Sequence, residues 1–91
     1  MAVVHLEVCG VVQGVGFRWF TVQAARRRGV RGWVRNRADG CVEIAASGEA
    51  GALDHFLNDV KQGPPAARVR SVRELPLDTL GSFGDEFEAV R

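Results

Sequence analysis

The sequence predicts an α+β sandwich, with two helices on one face of an antiparallel sheet, in the order β-α-β-β-α-β and with room for a short fifth strand. Three observations predict it. Apolar residues alternate with polar ones around Val4–Val8, Gly32–Arg37 and Val42–Ala46, the period of half-buried strands. Two segments, one from Phe17 and one from Leu53 to Val60, instead repeat apolar residues at helical spacing. Between the second and third strands, Asp39-Gly40 supplies the positive φ that a tight hairpin needs. Each helix has a single apolar stripe, so both must cover one sheet face. Right-handed crossovers then set two βαβ units side by side, the split-βαβ or ferredoxin-like arrangement.

The elements follow in order. Val4, Leu6 and Val8 form the core side of the first strand, leaving His5, Glu7 and Cys9 on a face expected to be partly wet. After a glycine loop, Phe17, Phe20, Ala24 and Ala25 mark the first helix, which Gly29 stops. The second strand spans Gly32 to Arg37. Ala38-Asp39-Gly40 turns the chain, and Val42, Ile44 and Ala46 face the core from the third. Leu53, Phe56, Leu57 and Val60 are the stripe of the second helix, closed by Gly63-Pro64-Pro65. Ala67 to Leu75 reads as a fourth strand interrupted by arginines, and Glu86 to Val90 as a fifth. There is no internal repeat or linker, so residues 1–91 are read as one domain, large enough for one modest core.

Composition excludes several classes. A formal net charge of +1 gives no general field for nucleic acid or membranes. No apolar run is long enough to span a bilayer, and the N-terminal residues lack a secretory pattern, so the expected location is cytoplasmic. The two cysteines, Cys9 and Cys41, lack zinc-site spacing and in that compartment are expected to be reduced core thiols. A monomer is the default.

The chemistry concentrates in Gly10-Val11-Val12-Gln13-Gly14-Val15-Gly16-Phe17-Arg18. Its glycines let backbone N–H groups converge on one point, and the following helix N-terminus adds free donors. Arg18 adds a permanently charged fork suited to phosphate. The run is neither a Walker loop nor a dinucleotide fingerprint. It reads as an oxyanion cradle, or as a tight turn with a solvated arginine. A second polar group, Asn36, shares the core side of its strand with Val34. Its amide could orient a water molecule, or simply start the turn. The cluster Arg26, Arg27, Arg28, Arg31, Arg35 and Arg37 reads as a solvated face rather than a nucleic-acid site, since the aromatic stacking signature of RNA-binding sheets is missing. His5, His55, Asp39, Trp19 and Trp33 read as structural, the tryptophans as packing residues.

With both segments in view, the chain resembles the acylphosphatase family. Val8 through Arg18 matches the family's first motif, and Gly32-Trp33-Val34-Arg35-Asn36, followed by Gly40, Val42 and Gly48, matches its second. Gly63-Pro64 and Phe87 add to the likeness. Ser47-Gly48-Glu49 and the last residues, Ala89-Val90-Arg91, depart from it outside the motifs. The resemblance implies hydrolysis of acyl phosphates to carboxylate and inorganic phosphate, without metal or other cofactor. It also implies that Gln13, Gly14, Val15, Gly16, Phe17 and Arg18 hold the phosphate while Asn36 orients the attacking water.

Overall fold

A computed structural model describes residues 2–78, 80–81 and 83–91. In chain order the elements are β1 (Ala2–Val11), α1 (Phe17–Arg28), β2 (Arg31–Asn36), β3 (Val42–Gly48), α2 (Ala50–Gln62), β4 (Arg68–Glu74) and β5 (Phe87–Ala89). The sheet order is β4-β1-β3-β2-β5, with both helices on one face. The expected order and the short fifth strand are therefore present. β5, however, pairs parallel to β2, so the sheet is mixed rather than antiparallel throughout. The reason is topological. β4 and β2 run in opposite directions in the sheet, so a β5 that reverses the direction of β4 on the far edge runs parallel to β2.

The core lies between sheet and helices. Leu6, Val8, Val34, Val42, Ile44 and Ala46 face Phe17, Ala24, Ala25, Leu53, Phe56 and Val60, with Phe87 closing the β5 side. Each helix ends as expected. Gly29 turns α1 with φ 69°, returning its N–H to the Ala25 and Arg26 carbonyls, and Gly63 ends α2. Among the described residues β4 pairs only with β1, and its arginines face water, which shields the edge against further pairing.

The outer sheet face is partly wet at Glu7, Cys9 and Arg35, as expected, but closes over its centre. All seven residues of β3 are buried. Past β4 the chain turns over this face, and His5 Nδ1 donates to the Pro76 carbonyl at 2.8 Å. Across the strands, His5, Ala45 and Trp33 stand in one row, with the His5 and Trp33 rings edge to face at 6.1 Å. Next to them Glu43 receives Arg35 at 2.7 Å and His5 Nε2 at 2.5 Å. Burial pushes the Glu43 carboxyl up, but the His5 and Arg35 hydrogen bonds and charges outweigh it and hold the group below its ordinary value of 4.5. Because the folded carboxyl binds its proton more weakly than the unfolded one, the stabilisation is complete above about pH 4.5 and disappears as pH falls through the lowered value. Acid unfolding of Glu43→Gln should therefore show a flatter loss of stability below about pH 4.5 than the parent chain. Parallel pH profiles for the two would refute the assignment.

The cysteines also differ from expectation. Cys9 and Cys41 are not free thiols but form a disulfide, with Cα atoms 4.5 Å apart. The antiparallel register that sets Val8 opposite Val42 continues to this pair, at the spacing of a non-hydrogen-bonded cross-strand position. The bond closes a loop of sequence separation 32, which in the chain-entropy account stabilises the fold by about 3–4 kcal/mol. Urea unfolding of the Cys9→Ser, Cys41→Ser double variant should show a loss of that order. A midpoint unchanged from the oxidised parent would exclude a stabilising disulfide.

Candidate active site

The loop between β1 and α1 is shaped by two left-handed glycines, Gly14 at φ 75° and Gly16 at φ 78°. A Cβ at either would meet open space, so the conformation and not crowding requires glycine there. Gly16 is also the N-cap of α1 and brings no capping side chain. The first-turn amides of the helix are consequently left without a side-chain acceptor, at the positive end of its dipole.

The residues that carry these amides line a cleft of about 500 Å³. Gly14, Gly16, Phe17 and Arg18 line it from the loop and helix, and Asn36 lines it from the end of β2. Arg18 is exposed, with its charge available to the cleft, while Phe17 is 1% exposed and offers only backbone. Asn36 lies on the inner sheet face beyond fully buried Val34, as alternation predicts. Its Oδ1 is buried and has no hydrogen-bond partner among the described residues. An acceptor in that condition carries a desolvation cost of about 1–3 kcal/mol, which a donor arriving in the cleft would relieve. The site therefore combines amides and a guanidinium for an oxyanion with a nearby acceptor for a water proton.

The expected residues divide into two groups. Gly14, Gly16, Phe17, Arg18 and Asn36 meet at one cleft. The side chain of Val15 packs against the core, which leaves its backbone amide on the loop. The Gln13 side chain turns to the hairpin, where Nε2 donates to the Arg37 carbonyl at 2.8 Å and the Cys41 carbonyl at 2.9 Å. These carbonyls stand on either side of the β2–β3 turn, and Arg37 directly follows Asn36. Gln13 and the Cys9–Cys41 disulfide thus fasten the cradle loop to the hairpin that carries Asn36. The side-chain partners of Gln13 lie 24 and 28 positions away in the chain and leave no mark in the sequence.

Trp19, like the cysteines, departs from the sequence expectation. It was expected to pack, but it is 69% exposed and lines the same cleft. The signal was its position, one residue past Arg18 and off the Phe17–Ala24 stripe. Trp33 does pack, beneath the Arg35 guanidinium at 5.5 Å.

Several arginines are bound to carboxylates. Arg35 pairs with Glu43, Arg37 with Glu7 and Asp39, and Arg28 with Asp59. Arg26 donates to the Phe87 carbonyl at 3.3 Å. Among the described residues, the group whose atoms could converge on a metal is Glu7, Cys9 and Cys41, within 4.8 Å of one another. With its sulfurs joined in the disulfide, it lacks the thiolates a metal would need. No helix among the described residues is long and apolar enough to cross a membrane.

Comparison with known proteins follows the same outline. A family model described as acylphosphatase matches residues 4–89. An acylphosphatase of Archaeoglobus fulgidus is 53% identical over 85 residues, covering 91% of this chain and 96% of its own. The crystal structure of acylphosphatase from Bacillus subtilis superposes with a TM-score of 0.90 at 40% identity, over the whole of both chains. The structure of an acylphosphatase from Coxiella burnetii superposes with a TM-score of 0.80 at 31% identity, covering 97% of this chain and 90% of that one.

Proposed function

The chain belongs to the acylphosphatase family, and on that premise we propose that it hydrolyses acyl phosphates in the cleft between the glycine loop and Asn36. The observation that carries the proposal is the buried, unpartnered Oδ1 of Asn36 in the same cleft as Arg18. Arg18 and the loop amides hold the phosphoryl oxygens. Asn36 accepts a hydrogen bond from a water molecule and turns its lone pair toward phosphorus. The water oxygen forms a new P–O bond as the bond to the carboxylate oxygen breaks. The carboxylate is a weak base and departs without a general acid, and a phosphate oxygen takes the proton of the water. Such a reaction needs chiefly positioning and charge stabilisation, which fixed amides and a guanidinium provide without a metal. The products are the free carboxylate and inorganic phosphate.

The proposal includes action as a cytoplasmic monomer on a small substrate, apart from membranes and nucleic acid. The pairing of Arg28, Arg35 and Arg37 with carboxylates supports the last point, since a phosphate backbone would have to displace them. Hydrolysis of benzoyl phosphate, followed by its ultraviolet absorbance with excess chelator, tests the activity. Turnover that survives the chelator supports it. Phosphate binding without turnover would leave a non-catalytic phosphate-binding module.

A further inference from the structure

Beyond the phosphate end, the cleft continues along α1. Arg18, Val22 and Arg26 are spaced four residues apart, so they follow one another along a single side of the helix, and Trp19 lies beside them. Trp19, Val22 and Arg26 all line the cleft, and Ala89 of β5 lines it from across the gap. This stretch is mainly apolar. Trp19 is 69% exposed there, and among the described residues no ring or cation packs on its indole. A single exposed apolar side chain is ordinary on a surface. Here the largest one stands one residue beyond the phosphate-holding arginine, inside the cleft that would bind the reactive group. Any acyl phosphate seated by its phosphoryl group at Arg18 must direct its acyl group out of the cradle.

We propose that Trp19, with Val22 and Ala89, forms an acyl-binding shelf that selects acyl phosphates with apolar, planar acyl groups over small ones. This inference rests on the acylphosphatase reading and adds the substrate class to it. The indole offers a broad, rigid face at low entropic cost, and an aromatic acyl group laid on it would bury apolar surface on both sides. Trp19 is then a specificity residue, which touches the acyl group and not the phosphoryl group.

The test compares kcat/KM for benzoyl phosphate and acetyl phosphate in the parent chain, Trp19→Ala and Trp19→Phe, with inhibition by inorganic phosphate measured alongside. Covering one face of an indole corresponds to about tenfold in binding. The benzoyl-to-acetyl ratio should thus fall about tenfold in Trp19→Ala, chiefly through KM, and recover in large part in Trp19→Phe. Inhibition by inorganic phosphate, which has no acyl group, should not change. A ratio that stays constant, whether both values fall together or neither moves, overturns the shelf while leaving the acylphosphatase reading intact. A parent chain that hydrolyses neither compound overturns that reading, and the shelf with it.

Discussion

Arg18→Gln is expected to remove turnover and phosphate binding together. Arg18 is exposed at the mouth of the cleft, so its loss should leave the fold intact, as circular dichroism and unfolding by urea can verify. In the proposed mechanism its guanidinium meets the charge that spreads over the phosphoryl oxygens. Removing one preorganised donor of this kind costs about 3–4 kcal/mol of barrier, or about 10²–10³ in rate. Arg18 also carries the net positive charge of the cradle, so the ground-state complex should weaken too, and activity should drop below detection. Arg18→Lys tests geometry against charge. An ammonium preserves the charge but not the planar fork, and it should remain strongly impaired. Near-normal hydrolysis of benzoyl phosphate by a folded Arg18→Gln would remove Arg18 from the mechanism.

Asn36→Ala should separate what Arg18→Gln removes together. Its predicted signature is loss of turnover with phosphate binding retained, since the amide addresses the water and not the phosphoryl group. The expected fall in kcat is about 10²–10³, by analogy with loss of one oriented polar group in other sites. Inhibition by inorganic phosphate should keep its parent value. The unpartnered state of Oδ1 adds a second readout. An acceptor buried without a bond costs the fold its desolvation through that atom, so alanine should not destabilise on that account. A variant that lost phosphate affinity as well as turnover would place Asn36 in the cradle instead. A variant that turned over normally would exclude it as the water-orienting group.

Much of this site was legible in the sequence because its parts are local. The backbone geometry of the loop depends on Gly14 and Gly16, and left-handed conformations at two positions call for glycine whatever the surroundings. Arg18 follows them at the start of a helix. Strand alternation was enough to place Asn36 beside Val34 on the inner face, and Asp39-Gly40 marked the turn beyond it. The outward direction of Gln13 was not legible. Its amide finds carbonyls 24 and 28 positions away in the chain, and such partners exist only once the hairpin docks beside the loop. Trp19 was misjudged for a related reason. A bulky apolar residue on a helix is read as core unless the neighbouring cleft is known.

The outer face and the disulfide mark the boundary between local and non-local information. Short-range patterns, which need only the chain's own period and its turn residues, set the order of the elements, the core stripes, the helix ends and the glycine cradle. Burial of His5 on the outer face depended on the segment after β4, whose Pro76 carbonyl meets the imidazole and whose position has no periodic signature. The Cys9–Cys41 bond depended on β1 and β3 becoming antiparallel neighbours in one register. Compartment-based reasoning about two distant cysteines could not supply that adjacency. The same docking set Arg18 and Asn36 on one cleft. Residues far apart in the chain meet only when long-range burial offsets the entropy of bringing them together, and that balance belongs to the folded whole.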